Sequence, residues 1–130
     1  MSGLPEEAEV LYRLAKQDRL AFQTLWANQA IELRIVGFHA QQAVEKLLKA
    51  VLVASGAIFP PTHNLLKLAD LLEEQKISFP MSLITLANLN PYAVVFRYDD
   101  REIHTLDRRG VAEIVDVVFA WADSLLSQSE

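Results

Sequence analysis

FHAQQAVEKLLKAVL, residues 38–52, is the stretch whose reading decides the fold. It contains neither Gly nor Pro and is built from Ala, Leu, Gln, Glu and Lys, all good helix formers. At about 100° per residue around a helix axis, Leu33, Val36, Ala40, Ala43, Val44, Leu47, Ala50, Val51 and Ala54 share one broad face. A stripe this wide marks the central helix of a bundle, and its alanines let a neighbouring helix approach closely. The flanks are mixed. His39, Gln42 and Lys46 form one polar strip, and Gln41 and Glu45 form another among Phe38, Leu48 and Leu52. An apolar flank of this kind suggests a second surface, such as another subunit.

Upstream, Pro5 to about Ala27 reads as the first helix, with Glu6 and Glu7 in its first turn. Its apolar face steps through Ala8, Leu11, Ala15, Phe22 and Leu25 and is interrupted by Asp18. An unpaired carboxylate on a buried face is costly, so Asp18 requires a partner, a wet groove or a functional role. Residues 28–30 connect to the central helix, which is expected to end at Ser55-Gly56. Downstream, Thr62-His63-Asn64 offers N-cap chemistry for a third helix, Leu65 to about Gln75. A fourth helix is expected over Met81 to Leu89, stopped by Pro91. Tyr92 to Tyr98 is read as helical, since its AVVF run finds no partner strand. The last helix starts near Asp107 and carries Val111, Ile114, Val115, Val118, Phe119, Ala122, Leu125 and Leu126 on one face. These segments predict an all-α fold, an antiparallel up-and-down bundle of four to five helices filling residues 1–130 as a single domain.

Composition narrows the function classes. The chain has 130 residues, no Cys and a formal net charge of −5. Disulfides and thiolate metal sites are excluded, and a reducing, cytoplasmic setting is expected. The acidic start MSGLPEEAEV does not read as a secretory signal, and no apolar run approaches the ~18 residues of a membrane span. Net negative charge argues against a generic nucleic-acid coat but leaves room for a local basic site.

Such a site is offered by RYDDREIH, residues 97–104. Four of the twelve Lys and Arg residues (Arg97, Arg101, Arg108 and Arg109) fall between positions 97 and 109, offset by Asp99, Asp100, Glu102 and Asp107. Arg is suited to bidentate phosphate contact, and His exchanges protons near neutral pH. Together, Arg97 and His104 could cleave RNA without a metal, His104 serving the 2′-hydroxyl and Arg97 the charge building on phosphorus. The plain alternative is a set of Arg–Asp pairs on a solvated loop. His63 reads as a capping or packing residue and His39 as part of the flank strip. The three histidines show no metal-ligand spacing, so neither a metal nor a cofactor is expected. Trp26 and Trp121 read as packing residues rather than base-stacking platforms.

FHAQQAVEKLLKAVLVASG, then THNLLKLADLL, then LNPYAVVFRY and a closing amphipathic helix together resemble the HEPN domain of prokaryotes, from about Ala8 to Leu126. The resemblance implies an up-and-down bundle that forms a homodimer and is often paired with a small nucleotidyltransferase in a toxin–antitoxin-like system. It implies a motif of Arg, four to six residues, then His, which carries metal-independent RNase activity in active members. Arg97 and His104 match it with six residues between them. The residue after the Arg is Tyr98, where RNase members often carry Asn, Asp or His, and this is more like members for which nucleotide binding has been proposed. The expectation is therefore a module binding a nucleotide or RNA phosphate through Arg97, Tyr98, Arg101, Lys46 and Asp18. The alternatives are an endoribonuclease using Arg97 and His104 across a homodimer, and a purely structural interaction module.

Overall fold

The structure, a computed structural model, describes residues 3–94 and 106–127. Its elements are α1 (Glu6–Trp26), α2 (Leu33–Ala54), α3 (Leu65–Glu74), α4 (Leu83–Ala87), a 3₁₀ helix (Asn90–Val94) and α5 (Arg108–Ser127). Among the described residues there is no strand, as the all-α reading requires. α2 packs against α1, α3, α5 and the 3₁₀ helix, while α4 packs on α3. Residues 27–32 join α1 to α2, so these two neighbours run antiparallel.

The core is the face read from the sequence. Val36, Ala40, Ala43, Val44, Leu47, Ala50 and Val51 of α2 are buried with Ala15 and Phe22 of α1 and Val111, Ile114, Val115, Val118 and Phe119 of α5. Leu48 and Leu52 are also fully buried. The flank expected to meet a second chain is thus largely covered by the protein's own helices. α5 is tied to α1 at both rims. Tyr12 donates to Asp123, while Arg19 lies 3.9 Å from Asp116 and stacks 4.4 Å from the Phe119 ring.

Local chemistry sets the helix ends. Gly56 takes φ +83°, and the amides of Gly56 and Ala57 close back on Val53 and Leu52, the Schellman geometry that satisfies the last carbonyls of α2. α3 ends the same way with a costlier residue. Lys76 has φ +60°, and the amides of Lys76 and Ile77 bond Glu73 and Leu72. Asn64, Ser82 and Asp107 cap the starts of α3, α4 and α5 by accepting from Leu66, Thr85 and Gly110. The fourth helix is shorter than the expected Met81–Leu89. Ser82 delays its start, and the chain passes into 3₁₀ geometry at Pro91, which has no amide proton to continue an α-helix. Of the stretch Tyr92 to Tyr98, the part within the described residues is helical in this 3₁₀ form.

One contact joins the 3₁₀ helix to α2. Tyr92 is completely buried, and a Cβ built on Gly37 would lie 2.3 Å from its ring. Gly37 therefore provides the space in which the ring sits.

Gly37→Ala is expected to lower stability by about 2 kcal/mol although Ala is the better helix former. In a Tyr92→Ala background the sign should reverse, with Gly37→Ala gaining about 0.5–1 kcal/mol. Urea unfolding of the four proteins checks this. Lys76→Gly, which removes a side chain from a left-handed position, should raise stability by about 1 kcal/mol in the same assay.

Candidate functional site

Asp18 points from α1 toward α2, and its placement answers the question its sequence position raised. Its carboxylate accepts from the Lys46 ammonium and lies 3.8 Å from Nδ1 of His39. All three side chains are partly covered, with Asp18 19% and Lys46 25% exposed. Two of the sequence-derived site residues, Asp18 and Lys46, are thus brought together with His39 of the same strip. Phe38 braces the His39 ring edge-on at 5.3 Å between centroids. In this half-wet groove between two helices, an ammonium, an imidazole and a carboxylate can bind an anion or relay a proton.

A second polar line runs along α2 at four-residue steps, Gly37, Gln41, Glu45 and Lys49. Gln41 and Glu45 are the buried polar residues among those described. The Glu45 carboxylate accepts from Lys49 at 3.0 Å and from Gln41 at 3.1 Å, and His63 Nδ1 lies 3.0 Å away. Gln41 also donates to the His63 carbonyl at 3.2 Å. His63 is therefore neither the cap of α3, which is Asn64, nor a packed ring. It is a partner of a buried carboxylate. The sequence held a signal for this network in the Gln41–Glu45–Lys49 spacing, which aligns the three on one helix edge, but nothing local linked it to His63, 18 positions on.

The remaining predicted residues divide in two. Arg97, Tyr98, Arg101 and His104 lie outside the described residues, which stop on either side of them. The flanks are firmly seated. Tyr92 fills the Gly37 notch and donates from its hydroxyl to the Leu106 carbonyl at 3.4 Å. Asn90 accepts from the Leu65 amide and donates to Asn64, fixing the 3₁₀ helix to the start of α3. Arg108, counted in the sequence as part of the basic cluster, points inward. Its guanidinium donates to the carbonyls of Trp26 at 2.7 Å, Asn28 at 3.3 Å and Ile31, while the Trp26 indole donates to the Arg108 carbonyl at 3.0 Å. Arg108 is a clamp on the α1–α2 connection. Arg109 is exposed and pairs with Glu113 at 3.4 Å on its own helix. Both tryptophans pack as expected, Trp121 against Phe79 with its indole donating to the Ser78 carbonyl at 2.7 Å.

Among the described residues, no group of three or more His, Cys, Asp or Glu side chains is arranged to hold a metal. No helix among them is long and apolar enough to cross a membrane.

Set beside known proteins, the chain matches the family model described as HEPN domain over residues 8–123, nearly its whole length. No curated relative and no solved structure matches it.

A double-mutant cycle on Asp18→Ala and Lys46→Ala is expected to give a coupling of about 1 kcal/mol, above an exposed pair because the groove is half-dry. The coupling should shrink in 1 M salt. Arg108→Ala should cost about 2 kcal/mol by thermal or urea unfolding. Arg108→Lys should recover little, since one ammonium cannot reproduce a planar fork reaching three carbonyls.

Proposed function

The chain belongs to the HEPN domain family, and from that premise we propose that it is a binding module for a nucleotide or an RNA phosphate. The observation that carries this reading is the Asp18–Lys46 pair with His39 beside it. It is an ionic group set into a helix face that packing alone would have made apolar. Such a pair contributes little to stability, so its presence there points to a ligand that uses the ammonium. Arg97 and Arg101 supply the forked phosphate contacts in this reading, with Tyr98 between them, and Lys46 adds a point charge from α2. Residues 1–130 act as one domain. Two copies pair, and the dimer works in the cytoplasm beside a small nucleotidyltransferase, as one half of a toxin–antitoxin-like system.

The spacing of Arg97 and His104 supports a second reading, a metal-independent endoribonuclease in which Arg97 clamps the scissile phosphate and His104 transfers a proton. A nucleotide-binding module retains its ligand intact; an endoribonuclease does not.

Titration of labelled ATP and of a short single-stranded RNA into the purified protein tests the binding reading. Saturable binding that weakens about tenfold or more in Arg97→Ala, and by a similar factor in Lys46→Ala, is the expected result, each substitution removing one charge-assisted phosphate contact. Affinity should fall with salt, less steeply in either variant. Absence of binding to both ligands, with and without the nucleotidyltransferase partner, would falsify it.

A further inference from the structure

We infer that a cavity between the first half of α1 and the last turn of α5 binds a small organic oxyanion, a carboxylate or phosphate monoester carried on a compact apolar body.

The cavity measures about 360 Å³. That lies within the range of small-ligand sites and leaves room for about a dozen water-sized groups. Leu4, Leu126 and the Tyr12 ring give it apolar walls, while Arg13 and Lys16 line it from α1. It is distinct from the Asp18–Lys46 groove. Tyr12 turns toward α5, where it donates to Asp123, whereas Asp18 turns toward α2. Lys16, one turn after Tyr12, stays on the Tyr12 side.

The pairing of charges carries the inference. The chain has 17 acidic and 12 basic residues, so a base has no shortage of carboxylates to meet. Among the described residues, Arg19, Arg34, Lys46, Lys49 and Arg109 each meet one, and Arg108 is spent on three carbonyls. Arg13, Lys16, Lys67 and Lys76 meet no carboxylate among those residues. Of these four, Arg13 and Lys16 stand side by side, three positions apart on one helix, and both line the cavity. Like charges at that spacing repel. The Lys16 ammonium rests instead over the Tyr12 ring, 3.9 Å from its centroid. At an exposed site a ring holds a cation less firmly than an oxyanion does.

Two bases beside an apolar wall make a head site and a body site. An oxyanion between Arg13 and Lys16 takes the guanidinium fork and the ammonium together and relieves their repulsion. Its apolar part then covers Leu4 and Leu126, removing their surface from water. Glu9 also lines the cavity, one turn before Arg13. Its charge disfavours a polyphosphate there, which sets this ligand apart from the nucleotide or RNA assigned to Lys46.

The test is an NMR titration of the full chain, followed through its backbone amides. The probes are benzoate and phenyl phosphate, with acetate and inorganic phosphate as the same head groups lacking the body. Benzoate and phenyl phosphate should saturate with a Kd of about 1 mM or tighter, the shifted amides being those of residues 9–17 and 126–127. Acetate and inorganic phosphate should bind about fivefold more weakly or worse. Arg13→Ala and Lys16→Ala, both at exposed positions, should keep a dispersed spectrum and each weaken phenyl phosphate about tenfold. Arg109→Ala removes the same charge from an exposed pair on α5 and should change the affinity by less than about twofold. Shifts that fail to saturate, probes without the body that bind equally well, or equal weakening in all three variants would each overturn the site. The Lys46 reading is tested separately by ATP and RNA, so it stands or falls without this result.

Discussion

The central helix is enclosed by its neighbours on several sides, with more than half of its residues buried, and this constraint shapes the rest of the molecule. α2 is contacted by α1, α3, α5 and the 3₁₀ helix, so its polar residues must find their partners inside the protein. Each strip of polar side chains finds them on a different neighbour. Lys46 meets Asp18 of α1, and Gln41 and Glu45 meet His63 ahead of α3. Where α2 meets the 3₁₀ helix, the solution is the removal of a side chain altogether, with Gly37 leaving room for the Tyr92 ring. The Glu45 carboxylate has Lys49 and Gln41 of α2 and the His63 ring around it, and the His63 contact together with the Gln41 bond to the His63 carbonyl ties down the loop before α3.

The anchors at the two ends of the Arg97–His104 region illustrate how fold and site are coupled. Tyr92 and Leu106 are fourteen positions apart and are joined by one hydrogen bond. Arg108 then ties the start of α5 to the α1–α2 connection through three carbonyls. A guanidinium satisfied by backbone oxygens in this way is unavailable to a phosphate. The basic cluster of the sequence therefore separates into a structural arginine, Arg108, an exposed ion-paired one, Arg109, and the pair Arg97 and Arg101, which keep the binding role in the proposed function.

Much of the architecture was legible in advance because helical periodicity reports burial directly. The α2 face from Val36 to Val51 and the α5 face from Val111 to Leu126 were read residue by residue and are buried, except for Leu125, which is half-buried. Family membership was legible too, since FHAQQAVEK followed by THNL is a pattern of residue identities as well as of polarity. The flank was misread for a physical reason. Leu48 and Leu52 lie off the main stripe, and periodicity describes one face, whereas α2 is enclosed on several. The fourth helix was overextended by two residues at each end, since Ser82 caps its start and α4 already stops at Ala87, ahead of the 3₁₀ helix that begins at Asn90.

Asp18 shows where sequence reasoning stops and why. An acid inside an apolar stripe announced that something must pair with it, and polarity alone did not say what. Lys46 was placed in the binding set and Asp18 flagged for a partner, yet joining them needed the crossing of α1 over α2, which brings positions 28 apart into contact. The same holds for Glu45 and His63, whose contact spans 18 positions and the whole 55–64 loop. Helical pattern fixes which side of each helix faces inward. The polar contacts of α2 lie at the edges of those sides, where the outcome depends on how two helices are rotated against each other. A rotation of α2 by one residue, about 100°, would turn the Val36–Val51 face out of the core and carry Lys46 away from Asp18 and Glu45 away from His63. The apolar face and the polar pairs therefore specify the same register, the first by burial and the second by the partner each charge must reach.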